Sequence, residues 1–354
     1  MTHRNRIDSA AARLCCWVFV VLCVAGPTLT HAADTVETTK NRRSGKVVKM
    51  SPTTVTIEFG MRTLEIPVNE IVEIRYDDEP RDLNLARGAA KRGNFSDARE
   101  RIKAFSDDDL SSPHVREDVE YLEAFMAARE ALAGQGDIDA AGRTLHDFVT
   151  KHPDNYHYYD ATDLITHLLL AAGRYDQAVA YADKLSAAPW LSYQLRADIA
   201  KGRIRQAQGE YDEALSAYDA VLARSTDSDD PGVAEQHLEA TLGKARCLAA
   251  LGRGDEGIEL VTGVIADADA EDAPRQALAY NALGDCYRAL DRKKDALLAY
   301  LHVDILYSSQ RDAHAEALAH LAELWGATDH ADRAADASKR LEENYPQSRW
   351  AQQK

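Results

Sequence analysis

Aromatic side chains, cysteine and basic charge are all scarce in this sequence, and no apolar run is long enough to span a bilayer. Phe, Tyr and Trp make up 7% of the 354 residues, against 45% hydrophobic residues in total. A core must therefore come mainly from small aliphatic side chains. There are five cysteines, Cys15, Cys16, Cys23, Cys247 and Cys286. Three crowd the first 32 residues, and the two that remain are too few for a disulfide-stapled scaffold. Cys247 and Cys286 fall at matching places in successive helices expected to stack. Stacked helix axes lie roughly 8–10 Å apart, while a disulfide needs Cα atoms within about 7 Å. Both thiols therefore read as small buried apolar groups. The longest apolar run, LCCWVFVVLCVAG at residues 14–26, is short of the roughly 20 residues of a spanning helix. Lys and Arg number 42 against 58 Asp and Glu, for a formal net charge of −16. Nucleic-acid binders normally present a basic surface, so no nucleic-acid partner is expected.

Catalytic signatures are missing too. No H-E-x-x-H, G-x-S-x-G, phosphate-binding loop, G-x-G-x-x-G or C-x-x-C occurs. The twelve histidines are scattered. His314 and His320 are six apart, the wrong spacing for one helix face to share a metal. Asp227, Asp229 and Asp230 imitate the start of a calcium loop, but the glycine is misplaced and the closing Glu is absent. The expectation is a non-enzyme with no cofactor and no metal.

Residues 1–32 have the layout of a signal peptide: Arg4, Arg6 and Arg13, then the apolar run, then Pro27 and Thr30-His31-Ala32 before a cleavage point. The competing reading is an uncleaved anchor. Leu22, not a small residue, precedes Cys23, so no lipidation box fits. Either way the body is expected to be exported, to a periplasm or cell envelope or beyond. No integral membrane segment is expected after cleavage. Residues 33–43 are polar and read as a linker. Residues 44–80 alternate apolar and polar positions in four short runs, with turns at Ser51-Pro52 and Gly60-Met61. This pattern resembles a small SH3-like or Sm-like barrel. Its acids and bases nearly cancel, and it reads as a structural cap on the helical region or as a binding module.

From residue 81 to 354 the period changes to that of helices. A turn signature, glycine followed by an aromatic or aliphatic residue, an Asp or Ser and an Ala, starts at Gly93, Gly136, Gly173 and Gly209. Degenerate copies start at Gly252, Asp291 and Asp329, so the signature recurs every 36 to 43 residues. The Asp or Ser is expected to cap the second helix of each hairpin. The fullest unit spans residues 275–306, where Tyr280-x2-Leu283-Gly284-x2-Tyr287 precedes Ala296-x3-Tyr300. Tyr280, Leu283 and Tyr287 share a helix face, Gly284 and Ala296 permit close helix approach, and Tyr300 fills the space between. This unit resembles a tetratricopeptide repeat. The resemblance covers about three quarters of the chain and implies a mainly α fold, a solenoid of about seven helical hairpins behind the small β-barrel-like module. Two departures stand out. Lys201-Gly202 replaces the usual Leu-Gly in the fourth unit, and the chain ends shortly after Tyr345-Pro346-Gln347-Ser348. That ending resembles those of repeat proteins of bacterial cell envelopes.

The resemblance implies a scaffold that binds a protein or peptide in the groove lined by the first helix of each hairpin. The alternative is a regulatory or substrate-recruiting subunit of a cell-envelope enzyme complex. Carried over position by position, the groove contains Arg196, Arg203 and Gln206 in the fourth unit, Arg246 in the fifth, and Asn281 and Arg288 in the sixth. Arg203, Arg246 and Arg288 would form a stripe suited to an acidic or carboxylate-ended segment by forked hydrogen bonds. Against that, Glu239 and Asp285 stand on the same face and would neutralise it. The Lys/Asn carboxylate clamp of chaperone-binding members is not reproduced.

Overall fold

The computed structural model describes residues 33–226, 230–269, 271–346 and 348–352. The signal-peptide reading of residues 1–32, and Asp227 and Asp229 of the acidic loop, lie outside the described residues. Residues 33–354 form one compact unit.

Among the described residues six strands come first: β1 (Thr35–Thr38), β2 (Arg42–Ser44), β3 (Lys46–Met50), β4 (Thr54–Phe59), β5 (Arg62–Pro67) and β6 (Ile71–Arg75), with a 3-10 turn at Val68–Glu70 before β6. They make two antiparallel three-stranded sheets, ordered β2-β1-β6 and β3-β4-β5, and no closed barrel among the described residues. Alternation makes the strands: Val55 and Ile57 of β4 are buried while Thr54 and Thr56 are not. The stretch expected to be a linker is not one. Thr35–Thr38 is the central strand of its sheet, pairing Val36 with both Arg43 and Ile74. Its apolar content is a single residue, Val36, which is fully buried. Its β-branched threonines suit a strand, but one apolar residue leaves no alternation to detect.

Seven helical hairpins follow among the described residues: α1 (Arg81–Lys91) with α2 (Phe95–Lys103), α3 (Pro113–Leu132) with α4 (Ile138–Lys151), α5 (Tyr158–Ala171) with α6 (Tyr175–Ser186), α7 (Leu191–Ala207) with α8 (Tyr211–Ser225), α9 (Pro231–Ala250) with α10 (Gly254–Asp267), α11 (Ala273–Ala289) with α12 (Lys293–Leu306), and α13 (Arg311–Gly326) with α14 (Ala331–Asn344). A four-residue helix, α15 (Arg349–Gln352), packs on α13 and α14. The hairpin turns take a left-handed residue at Gly93, Gly134, Gly173, Gly209 and Gly252. In the last two hairpins an aspartate takes this position, Asp291 at φ 56° and Asp329 at φ 58°. In the second hairpin the turn glycine is Gly134, not the Gly136 read from the sequence. The expected side-chain caps on the second helices are mostly absent. Asp137 caps α4 through the backbone N–H groups of Asp139 and Ala140, whereas Asp97, Asp176 and Asp212 sit inside the first turns of α2, α6 and α8. There they complement the helix dipole instead.

The β module and the first hairpins share one core. Val36, Val55, Ile57, Ile74 and Tyr76 pack with Leu83, Ala86, Val115 and Met126. A buried ion-pair network crosses the same junction. Arg87 of α1 donates to both Glu79 carboxylate oxygens at 3.0 and 2.8 Å and to Asp118 of α3 at 2.8 Å. Asp118 also accepts from the Tyr156 hydroxyl at 2.9 Å. Burial alone would raise Asp118, but Arg87 and His157 beside it hold it well below the usual carboxylate range.

Candidate functional site

The first helices form one layer of the array. Helices α3, α5, α7, α9, α11 and α13 pack on one another in sequence, and each second helix packs chiefly on the first helices to either side. A polar side chain leaving this layer meets either the next repeat or the face the layer lines. Close packing of the layer depends on glycine opposite tyrosine. A Cβ on Gly284 would lie 2.5 Å from the Tyr300 ring, and one on Gly243 would lie 2.5 Å from the Tyr218 ring. Gly202, which looked like a departure from the repeat pattern, faces the other side of Tyr218 at 2.9 Å.

The structure brings the arginines to this face, each with an acid against it. Arg203 of α7 reaches Glu239 of α9 at 3.0 Å. Arg246 of α9 donates to Asp285 of α11 at 2.7 Å and lies 3.6 Å from Glu316 of α13. Arg288 of α11 donates to Glu323 of α13 at 2.8 Å. Arg196 points the other way along the array, 3.8 Å from both Asp160 and Asp163 of α5, with its guanidinium over the Tyr193 ring. The arrangement is a ladder of ion pairs that tie each repeat to its neighbour. Gln206 accepts from the Tyr218 hydroxyl at 3.1 Å. Asn281 is fully buried, its amide donating to the Ala313 carbonyl at 2.9 Å and to Glu316 at 3.0 Å. It braces α13 and is not presented to solvent, because its position faces the start of the next first helix.

The middle of the ladder is the least exposed part. Side chains of Arg246, Asp285 and Glu316 are 27%, 17% and 15% exposed, against 38% and 61% for Arg288 and Glu323. Burial opposes charge on Arg246 and on Asp285, but their contact outweighs it. Asp285 and Glu316 raise Arg246 above its usual value, and Arg246 and His320 hold Asp285 below its own. Glu316 is pushed up, first by burial and then by Asp285, despite Arg246. Burial lowers His320. Asp285 also accepts from the Tyr300 hydroxyl at 2.7 Å, so the tyrosine that fills the gap between helices also holds the acid in place. Cys247 and Cys286 are free and buried, and burial pushes their thiols up to about 11 and about 12. Neither is a ready nucleophile.

Glu316 and Glu323 were missed in the sequence, and His320 was weighed there only as a metal ligand. Measured from Asp329, Glu316 and Glu323 stand thirteen and six residues before the turn, as Arg196 stands thirteen before Gly209 and Asp285 six before Asp291. The signal was present, in a unit whose turn lacks glycine. Among the described residues, no group of three His, Cys, Asp or Glu side chains is placed to hold a metal, and no helix is long and apolar enough to cross a membrane.

The tetratricopeptide repeat family model matches residues 199–273. That segment runs from within α7 to the start of α11, so the unit at 275–306, which carries the fullest signature, falls outside it. Leu242-Gly243, within the match, is a Leu-Gly pair that the sequence reading passed over. No curated protein matches the chain. Among solved structures, a tetratricopeptide repeat protein from Parabacteroides merdae shares 17% identity at a TM-score of 0.50, over 74% of this chain and 91% of that one. PilW, described as a widely conserved type IV pilus biogenesis factor, shares 17% identity at 0.42, over 67% and 96%. The apo form of RapI shares 12% identity at 0.46, over 76% and 77%. The chain carries a segment matched by the tetratricopeptide repeat family model, and its helices form a solenoid of the tetratricopeptide type behind a small β region.

Proposed function

We propose that this chain is a non-catalytic scaffold whose first-helix face binds an extended segment of a protein partner. The observation that carries this is the ladder from Arg203 to Glu323. It is a row of partly exposed, oppositely charged side chains, spaced one repeat apart, on the first-helix layer of a stacked array. Such a row can exchange its internal partners for those of a bound chain.

The expectation of an acidic or carboxylate-ended partner assumed free arginines. Four arginines on this face, Arg196, Arg203, Arg246 and Arg288, meet six acids, Asp160, Asp163, Glu239, Asp285, Glu316 and Glu323. An incoming carboxylate would have to displace an acid already bonded, whereas an incoming Lys or Arg meets the excess. We therefore favour a basic segment. The signal-peptide pattern supports an exported, envelope-facing location, and the strand order with its 3-10 turn before β6 supports the SH3-like reading of the β module. N-terminal sequencing of the exported protein is expected to begin at Ala33.

The test of the binding reading is fluorescence anisotropy with residues 33–354 and labelled peptides of equal length that are basic, neutral or acidic. Basic peptides are expected to bind tightest, and added salt to weaken them. Glu239→Gln with Glu323→Gln should weaken binding by a few-fold for each exposed charge, at about 0.2–1 kcal/mol apiece. Glu259→Gln on α10 should change nothing. Tighter binding of the acidic peptides, or equal losses from the Glu259 variant, would refute the reading.

A further inference from the structure

We propose that residues 348–352 are an autoinhibitory clasp, which holds a cation and an aromatic ring on the far end of the ion-pair ladder and is kept there by a bond to the second hairpin. In a stacked array each repeat is expected to touch only its neighbours. One hydrogen bond departs from that rule. The side-chain amide of Gln352, at the end of α15, donates to the backbone carbonyl of Gly134 at 3.2 Å, 218 residues away in the chain. Gly134 is the left-handed residue of the turn between α3 and α4. The array therefore returns on itself, its seventh hairpin joined through α15 to its second.

What this bond holds in place bears on the first-helix face. Trp350 stands edge-on to the His320 ring of α13, with centroids 5.2 Å apart. His320 in turn lies 3.7 Å from Asp285 and 3.8 Å from Glu323, two acids of the ladder. Trp350 and Ala351 pack on the core of the last hairpins, which includes Leu318 and Leu321. Arg349 is exposed and has no ion-pair partner among the described residues. Its guanidinium lies over the Trp350 ring at 4.7 Å, and its charge favours the ionised form of Glu316. At this end of the ladder the acids Asp285, Glu316 and Glu323 outnumber Arg246 and Arg288. Arg349 supplies the cation that is lacking.

The clasp rests on the reading of the first-helix face as a binding surface, and deepens it. That face already has an internal occupant of the kind it is read to bind, a cation beside an aromatic ring. A partner segment crossing α11 and α13 meets this pair and must displace it. The clasp is weak enough to yield. A neutral hydrogen bond shifts an equilibrium by only roughly two- to tenfold, and Gln352 is exposed to competing water. While the clasp is closed, the apparent affinity for a partner falls in proportion to the fraction of molecules that are open.

Two measurements on residues 33–354, which form a compact unit, test this. The first needs no peptide. Spin labels on Arg143→Cys and Lys339→Cys, exposed positions of α4 and α14, report the separation of the second and seventh hairpins, while Cys247 and Cys286 are buried and stay unlabelled. The separation is expected to lengthen and broaden with Gln352→Ala, and more so with Trp350→Ala. Gln352 is exposed, so its variant keeps the test valid if Trp350→Ala disturbs the last hairpin. The second measurement is anisotropy with a labelled basic peptide. Gln352→Ala should bind it roughly two- to tenfold tighter than the parent chain. Arg349→Ala should also bind tighter, whereas Lys339→Ala, the same loss of charge on a second helix, should not. An unchanged separation in the Gln352 variant would overturn the clasp, and so would a parent chain that binds the peptide as tightly as that variant. If the separation lengthens but no chain binds the peptide, the closure is upheld and the binding reading alone fails.

Discussion

Tyr218 and Tyr300 head the fully buried side chains in size, and each occupies space left by glycine on a neighbouring first helix. Gly284 has the clearest role. Adding one methyl there would drive the Tyr300 ring from a 2.5 Å overlap, and that ring's hydroxyl holds Asp285. Gly284→Ala is therefore expected to lower stability by about 1–3 kcal/mol, the usual range for overpacking, although alanine is the better helix former. Gly263 in α10 has nothing within 4 Å of its virtual Cβ, so Gly263→Ala should be neutral or stabilise by up to about 1 kcal/mol. Urea unfolding midpoints of the two variants check the contrast, and a matching loss in both would remove the steric account. This scale was readable in the sequence for Gly284 and Tyr300, because one residue type with one spacing performs one task. It was not readable for Asn281. The position was right, but whether an amide there faces solvent or the next helix depends on the rotation between repeats.

Among the elements, α12, α13 and α14 are tied by one acid. Asp304 of α12 contacts the His314 imidazole of α13 at 2.8 Å and the Arg340 guanidinium of α14 at 3.0 Å. Burial would raise Asp304, but these two partners lower it to about 2. A carboxyl whose folded value lies below its unfolded one stabilises fully above the unfolded value, near 3.8. That contribution fades as pH falls from there through about 2. Asp304→Asn should accordingly lower the unfolding temperature at neutral pH and shrink its fall between pH 4 and pH 2. An unchanged acid limb would show that Asp304 is not coupled to folding.

Helices and four of the strands were legible because apolar residues recur at their periods. Strand β1 was not, since Val36 is its lone apolar residue. The second-helix caps misled because an aspartate near a helix start can serve the dipole from inside the first turn, and Asp176 and Asp212 do so. Gly134 and Gly136 both suit a turn, and only the backbone angle separates them.

At the scale of the molecule, the β region and the first hairpins are one folding unit held by a common core and by Arg87. Removing that guanidinium leaves Glu79 without its ion-pair partner and Asp118 with only His157 left to pair it, their side chains 9% and 4% exposed. Arg87→Ala is expected to cost about 3–5 kcal/mol, and hydrogen exchange should rise together in the strands and in α1 to α3. Loosening of the strands alone would mean that the module is a separate domain. Beyond the third hairpin each repeat should be unaffected, since stacked repeats depend on their nearest neighbours.

A scaffold of this kind stands or falls on a partner segment lying along the first helices. Hydrogen exchange of residues 33–354, with and without a saturating basic peptide of about a dozen residues, tests this most directly. New protection is expected in α7, α9, α11 and α13, with little change in α8, α10 and α14. Protection confined to the second helices or to the β strands, with the first helices unchanged, would contradict it.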